Sequence, residues 1–403
     1  MKNRRRNFLK KSAAVGAGFF IVPRNVLGGN GFISPSDQLN IAAIGAGGKG
    51  TDITDSWASG ERVIALCDVH PDGQHGVTDS RKTYPKANFY VDFREMLDKE
   101  KDLDAVTIST PDHTHAVIAI NAMNRGLHVY VQKPLTHNIE EARVLTQIAA
   151  KNKVVTQMGN QGGSSSGVVK IQEWVDKKMI GKINKIYAWT NRPVWPQGFD
   201  MKDNNEVKPP NLNWDLWLGP AASSKYTSQL HPFNWRGWWD YGTGALGDMA
   251  CHILDAPYKT LGLHYPTDVE CSVGQVFEQA WSQNFVPKGC PASSIVTINF
   301  NKTEKNDSKI QLVWMDGGLR PSHPEAIPAD DFLGEVNSTN GVLMIGEKGV
   351  ISCGVYGLEP KLYRKGKETI VFKTPDSSNL DYNHHMEWIL SLIHISEPTR
   401  RDQ

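Results

Sequence analysis

A short apolar run, Leu39 to Ile44, opens directly onto Gly45-Ala46-Gly47-Gly48-Lys49-Gly50, and a second apolar run, Val63 to Leu66, ends in Cys67-Asp68. Strand, glycine turn, helix, strand and acid in that order leave few folds open. A lone G-x-G-x-x-G is a weak signal, but in this setting each glycine has a mechanical reason. Gly45 makes the tight turn, Gly47 lets a pyrophosphate approach closely, and Gly50 lets the helix pack on the strand. The helix is expected to run through Trp57, and its amino terminus offers free N–H groups and a favourable dipole to an anion. Asp68 lies 18 residues past Gly50, close to the ~20 at which an acid meets the adenosine ribose hydroxyls. Its carboxylate would repel the 2′-phosphate of NADP, and no arginine follows it closely, so NAD is the expected cofactor. The nucleotide-contacting set from this segment is Gly45, Ala46, Gly47, Gly48, Lys49, Gly50 and Asp68.

Strand and helix patterns keep alternating: Ala105 to Ser109, a helix from His115 to Arg125, Val129 to Val131, a helix from Ile139 to Lys151, then Val154 to Gln157. That rhythm predicts an α/β Rossmann domain with a doubly wound parallel sheet over residues 37–157. Ligands of such sheets bind beyond the carboxyl ends of the strands. Two motifs fall there: Thr110-Pro111-Asp112-His113-Thr114-His115 and Gln132-Lys133-Pro134-Leu135. His113 and His115 would share one side of an extended segment, but no third ligand is near, and no metal is expected.

From about Met158 the pattern changes to longer strands with polar connections: Lys185 to Trp189, Val269 to Phe277, Ser294 to Phe300, Lys309 to Trp314 and Gly341 to Ile345. Residues 158–391 therefore read as an α+β domain with an open, mostly antiparallel sheet and helices on one face, its open face a surface for homo-oligomer contact. Eight of the twelve tryptophans lie between Trp174 and Trp239. Trp174 and Trp189 are expected in the core, whereas Trp235-Arg236-Gly237-Trp238-Trp239-Asp240-Tyr241 is too polar for simple core. Trp235, Arg236, Trp238 and Tyr241 are the candidate wall for a sugar, whose flat apolar faces suit aromatic rings. Directly after it, Asp248 and His252 stand at i and i+4 of a probable helix, on one face. Hydride transfer from a secondary alcohol needs a group to take the hydroxyl proton and one to steady the developing alkoxide. His252 fits the base, with a pKa expected near neutral, Asp248 would orient the ring or bind a substrate hydroxyl, and Lys133 would steady the oxygen.

The fingerprint, then Thr-Pro-x-x-x-His, then Lys-Pro at the end of the fifth strand resembles the Gfo/Idh/MocA family of sugar and polyol dehydrogenases, over nearly all of Gln38 to about Leu390. The resemblance implies that Lys133 contacts nicotinamide and substrate, and that the turn carrying Thr110, Pro111 and His115 meets the nicotinamide ribose. It also implies that Asp248 and His252 complete the catalytic set with Lys133. Gln132 stands where the family has a glutamate. The expected function is NAD-dependent oxidation of a sugar, polyol or glycoside alcohol. Two alternatives stay open: an NAD-dependent glycoside hydrolase, which some exported relatives resemble and which oxidises transiently, eliminates the aglycone and returns the hydride, and a non-catalytic carbohydrate- or cofactor-binding protein.

The chain has 44 basic and 43 acidic residues. Seven of the bases, Lys2, Arg4, Arg5, Arg6, Lys10, Lys11 and Arg24, lie in the first thirty residues, where there is no acid. The rest is mildly acidic with scattered cations, which excludes a nucleic-acid footprint. Arg5-Arg6-Asn7-Phe8-Leu9-Lys10 followed by apolar Ala13 to Val22 resembles a twin-arginine export signal over residues 1–30, too short to span a bilayer. A periplasmic or otherwise extracytoplasmic protein without stable membrane insertion is expected, carrying its NAD tightly bound because no free pool exists there. The five cysteines are widely spaced with no C-x-x-C pair, and read as buried free thiols. Leu392 to Arg400 resembles a peptide that recurs when sequencing-adapter DNA is translated, so residues 392–403 are expected to be a non-native tail. Resequencing the locus with this frame intact would overturn that expectation.

Overall fold

In a computed structural model the described residues are 38–52, 60–73, 77–202, 205–277, 279–282 and 286–396. The export segment, the stretch expected to continue the first helix through Trp57, and residues 397–403 lie outside them.

The first sheet is built from β1 (Asn40–Ile44), β2 (Arg62–Cys67), β3 (Asn88–Tyr90), β4 (Ala105–Ile108), β5 (His128–Gln132) and β6 (Thr156–Gly159). It is parallel throughout, in the order β3-β2-β1-β4-β5-β6. The order reverses between β1 and β4, the switch point at which such sheets open a crevice. Interleaved helices are α1 (Val77–Thr83), α2 (Phe93–Lys99), α3 (Asp112–Asn124) and α4 (Ile139–Asn152). Asn138 caps α4 through a reciprocal box with Glu141, which fixes where the chain turns after β5. β6 runs to Gly159, two residues past the boundary expected for this domain.

β1 shows why the sheet needs cover on both sides. Ala42 and Ile44 enter one apolar cluster with Met96, Ile118, Ala122 and Leu145 of α2, α3 and α4. Ile41 and Ala43 enter another with Tyr130, Trp388, Ile389 and Leu392. The last three belong to α9 (Leu380–Ser396), which runs on into the segment expected to be a non-native tail. The first domain is thus discontinuous: a helix expected to belong to the second domain covers the back of the first sheet. The physical cause is the alternation of β1, whose odd and even side chains are both apolar and fully buried.

The second domain contributes α5 (Ser166–Asp176), α6 (Trp214–Leu218), α7 (Gly244–Ile253) and α8 (Asp255–Leu261), and the strands β7 (Ile183–Thr190), β8 (Asp268–Gly274), β9 (Ser293–Phe300), β10 (Ile310–Met315), β11 (Asn340–Gly346), β12 (Gly349–Cys353), β13 (Lys361–Tyr363) and β14 (Ile370–Val371). Its sheet runs β14-β13-β12-β11-β7-β10-β9-β8, antiparallel except where β10 meets β7. α5, α7 and α8 cover one face through Ile171, Trp174, Ile253 and Leu261. Trp189 packs on the other face against Ile327 and Leu333 of a long connection. The edge strand β8 is exposed along its whole length. All five cysteines are free: Cys67, Cys290 and Cys353 are buried as expected, Cys251 is half-buried, and Cys271 on β8 is exposed.

Trp388 is fully buried, so Trp388→Ala should remove about 3–5 kcal/mol of stability, read by denaturant unfolding. An unchanged midpoint would mean that α9 does not cover the first sheet.

Candidate active site

Backbone crowding dictates the glycines after β1. Gly45 has φ +78° and a Cβ there would stand 2.8 Å from the Ser109 carbonyl, while a Cβ on Gly50 would stand 1.7 Å from the Gly45 oxygen. Both would force the turn apart. The Gly45 and Ala46 N–H groups donate to the Cys67 carbonyl at 2.8 and 3.2 Å, tying the turn to β2. Gly47 N–H and His70 N–H donate to the two Asp68 carboxylate oxygens at 3.2 and 3.0 Å. Burial pushes the Asp68 carboxyl up to about 6 against those bonds, a state that hydroxyl donors from a ligand would relieve. The described start of the expected helix is a 3-10 turn, Gly48–Asp52.

The crevice is a cavity of about 960 Å³. Asp68, Val69, His70, Asp72 and Phe93 line one end, and Gly45, Gly47, Gly48, Lys49, Thr110 and Pro111 the middle. Lys133, Asp248, Phe233, Trp235 and Arg236 line the other end. Ala46 is buried in the core behind the turn, and its carbonyl accepts from Ser80 Oγ. Lys49 Nζ also pairs with Asp381 at the start of α9, at 3.0 Å.

At the far end two elements from different domains meet. Lys133 follows β5, and its Nζ donates to the Asp248 carboxylate at 2.9 Å and to the Asp248 carbonyl at 2.8 Å. Arg236 Nε stands 3.5 Å from the same carboxylate oxygen. Burial works against the charge on Asp248, yet Lys133 and Arg236 together hold its carboxyl below the ordinary range. Asp112 lines the cavity beside them and accepts from Thr243 Oγ1 at 2.8 Å.

Five expected roles change, those of His252, Asp248, His115, Trp238 and Tyr241. His252 is 3% exposed and does not line the cavity. Its Nδ1–H donates to Asn160 Oδ1 at 3.0 Å, so Asn160 orients the ring and Asp248 is committed to Lys133. Burial, then the charge of Lys133, pushes His252 down to about 3 rather than near neutral. His115 points away from the cavity: its ring nitrogens lie 2.7 Å from the carbonyls of Thr110 and Pro134, so it clips together the two turns that do reach the ligand. His113 likewise faces the carbonyls of Tyr241 and Trp217. Of the expected aromatic wall, Trp235 and Arg236 reach the cavity. Trp238 and Tyr241, each 2% exposed, pack behind it with Leu212, Trp214 and Leu230, because the segment's rings satisfy one another before they satisfy a ligand.

The family model described as the oxidoreductase family, NAD-binding Rossmann fold, matches residues 39–160, and that of the same family's C-terminal α/β domain matches residues 165–283. The chain belongs to the Gfo/Idh/MocA oxidoreductase family. Its first domain is the family's NAD-binding unit, and the glycine cradle and Asp68 fit that cofactor. A glycosyl hydrolase family 109 protein of Shewanella sp. (strain MR-4) is 31% identical over a stretch covering 37% of each chain. A levoglucosan dehydrogenase of Pseudarthrobacter phenanthrenivorans is 26% identical over 42% of this chain and 36% of its own. The chain therefore matches little more than a third of the length of these curated relatives. Among solved structures, the levoglucosan dehydrogenase complex with NADH and L-sorbose superposes with TM-score 0.57 at 16% identity, covering 88% of both chains. An inositol dehydrogenase homologue of Azotobacter vinelandii, complexed with NADH and myo-inositol, gives 0.55 at 16% identity, covering 88% of this chain and 85% of its own. At such identities these two speak for the Gfo/Idh/MocA fold.

Sequence reasoning missed Asn160, Asp112 and Tyr356. Asn160 sits just past β6, where a polar residue after a strand carries no distinguishing pattern. Tyr356, at φ +61°, holds its ring edge-on to His252 at 4.8 Å; left-handed backbone at a bulky residue has no sequence signature. Also missed was a strap from the second domain over the Asp68 end. Asn213 N–H donates to the Val69 carbonyl at 2.9 Å, Asn211 hydrogen-bonds Asp72, and the His70 and His231 rings lie 5.2 Å apart.

Because the folded state disfavours the charged ring, a neutral His252 contributes stability that is present above about pH 6.5 and lost as the pH falls towards 3. Nitrogen-15 NMR of the protein should find His252 protonated on Nδ1 and titrating near 3, with the other tautomer appearing in Asn160→Ala. A ring carrying its proton on Nε2 would refute the assignment. Gly50→Ala should release bound nucleotide and lower the melting temperature, whereas an unaltered nucleotide content on denaturation would contradict the crowding at Gly45.

Proposed function

We propose that this protein is an exported, NAD-dependent dehydrogenase that oxidises a secondary alcohol of a sugar, polyol or glycoside. The observation that carries the reading is the Lys133–Asp248 pair at the end of a nucleotide-sized crevice walled by Trp235 and Phe233. When bound, NAD supplies the acceptor for a hydride. Lys133 gives two of its three donors to Asp248 and has one left for the reacting oxygen, which it steadies as negative charge develops. Asp248 keeps that ammonium aimed. Asp248, ionised and lining the cavity, is the group in reach to take the hydroxyl proton, while His252, neutral and oriented by Asn160 through Nδ1, stands behind it. Thr110 and Pro111 supply the turn along the nucleotide. Trp235 and Arg236 bind the substrate.

The strap over the Asp68 end supports a cofactor that stays with the protein, which suits passage through the twin-arginine route implied by Arg5-Arg6 and work outside the cytoplasm. The exposed β8 edge supports homo-oligomer contact through the second sheet. A second reading, the NAD-dependent glycoside hydrolase, is favoured by the family 109 relatives and by the same strap, since a hydrolase recycles its cofactor. Net cofactor turnover separates the two.

The test is to purify the protein, identify by mass the nucleotide released on denaturation, and follow nicotinamide absorbance as glycosides are added. Stoichiometric reduction without aglycone release supports the dehydrogenase; aglycone release without lasting reduction supports the hydrolase. Lys133→Met should lower kcat by about 10²–10⁴ with nucleotide content intact. Full activity in that variant would remove Lys133 from the chemistry.

A further inference from the structure

We propose that the substrate carries a carboxylate, as a uronic acid or a glycoside of one, and that Arg236 is the residue that recognises it. The proposal rests on the cavity being the sugar site and adds the class of sugar.

Arg236 lies on the short 3-10 turn Asn234–Gly237, before α7. That turn is clamped: a Cβ on Gly242 would come within 2.5 Å of the Arg236 Cα, and Cys290 N–H donates to the Gly237 carbonyl at 2.8 Å. The guanidinium itself lies over the Trp235 ring at 4.2 Å and the Phe233 ring at 4.6 Å. Nη1 donates to the Phe233 carbonyl at 3.0 Å, and Nε approaches Asp248 at 3.5 Å. Aromatic contact occupies the faces of the group and leaves its edge for hydrogen bonds. Of its five N–H donors, one is given to Phe233 and one is turned to Asp248. The remaining three, including both on Nη2, have no acceptor among the described residues, although the side chain borders the cavity.

Charge leads to the same ligand. Lys133 and Arg236 share one carboxylate held in its ionised form, Asp248, while the other nearby acid, Asp112, accepts from Thr243 Oγ1 at 2.8 Å. Both cations border the cavity, and the open N–H groups of Arg236 are left for an acceptor that a ligand brings. A planar carboxylate meets two parallel N–H groups of an immobilised guanidinium and neutralises it. The same fork can meet two oxygens of a phosphate, so a sugar phosphate is the rival ligand that the titration separates.

The test is calorimetric titration of the NAD-loaded protein with matched pyranosides that differ only at C6. Methyl glucuronide, galacturonide and mannuronide would each be set against the neutral methyl glycoside, with glucose 6-phosphate and galactose 6-phosphate as further probes. At least one uronide should bind about 10- to 100-fold more tightly than its neutral partner, Arg236→Gln should erase the difference, and Arg236→Lys should restore only part of it. Parity across every pair, equal loss for both members in Arg236→Gln, or tighter binding of a sugar phosphate would overturn the proposal. Arg236-dependent uronide binding without nicotinamide reduction would uphold it while removing the dehydrogenase reading. Equal reduction by neutral glycosides would uphold the dehydrogenase and remove the carboxylate.

Discussion

The ion pair between Lys133 and Asp248 sits where neither partner is well hydrated, and burying either charge alone would be strongly unfavourable. One partner follows the fifth strand of the first sheet and the other lies on α7 of the second domain, so the pair can form only when the two domains meet. Much of the surrounding electrostatics follows from it. Burial, reinforced by the ammonium, keeps the neighbouring imidazole neutral, the carboxylate holds one edge of Arg236, and the orienting bond of His252 falls to Asn160 because Asp248 is already committed. Residues that read in the sequence as a chain of acid, base and orienter are therefore arranged as two separate couples, one facing the cavity and one behind it.

The nucleotide domain was legible because its constraints are local and steric. The collision between a Gly50 side chain and the Gly45 carbonyl is felt within six residues, and the acid after β2 is placed by strand length. The doubly wound parallel sheet and the mostly antiparallel second sheet followed from the strand and helix patterns, whereas the placing of Lys133 and Asp248 in one site came from the family resemblance. What the pattern could not carry was the direction in which a side chain points once several candidates compete. His115, Trp238 and Tyr241 have the right chemistry for a ligand, but each finds its partners inside the protein: two backbone carbonyls for His115, other rings for Trp238 and Tyr241. Short strands such as β3, β13 and β14, with two or three residues each, lack the length for a period to register.

The strap joining Asn211 and Asn213 to the loop after β2 divides labour along the crevice. One end is closed by contacts between domains that involve no catalytic group, while the other is lined by charges and aromatic rings. Retention of the nucleotide and choice of substrate can then vary independently, since no residue of the strap touches Lys133 or Asp248. This separation is consistent with one fold serving enzymes with different substrates.

The discontinuity of the first domain has a consequence for synthesis. Its sheet is laid down early in translation, yet Ile41, Ala43 and Tyr130 are covered by a helix that reaches them only after the whole second domain has emerged. Until then the ribosome-bound chain exposes a broad apolar sheet face. The half of the protein that is made first is therefore the half that finishes folding last, and a chaperone or a tethering surface that shields that face during elongation would act on the nascent chain for as long as the second domain takes to be made.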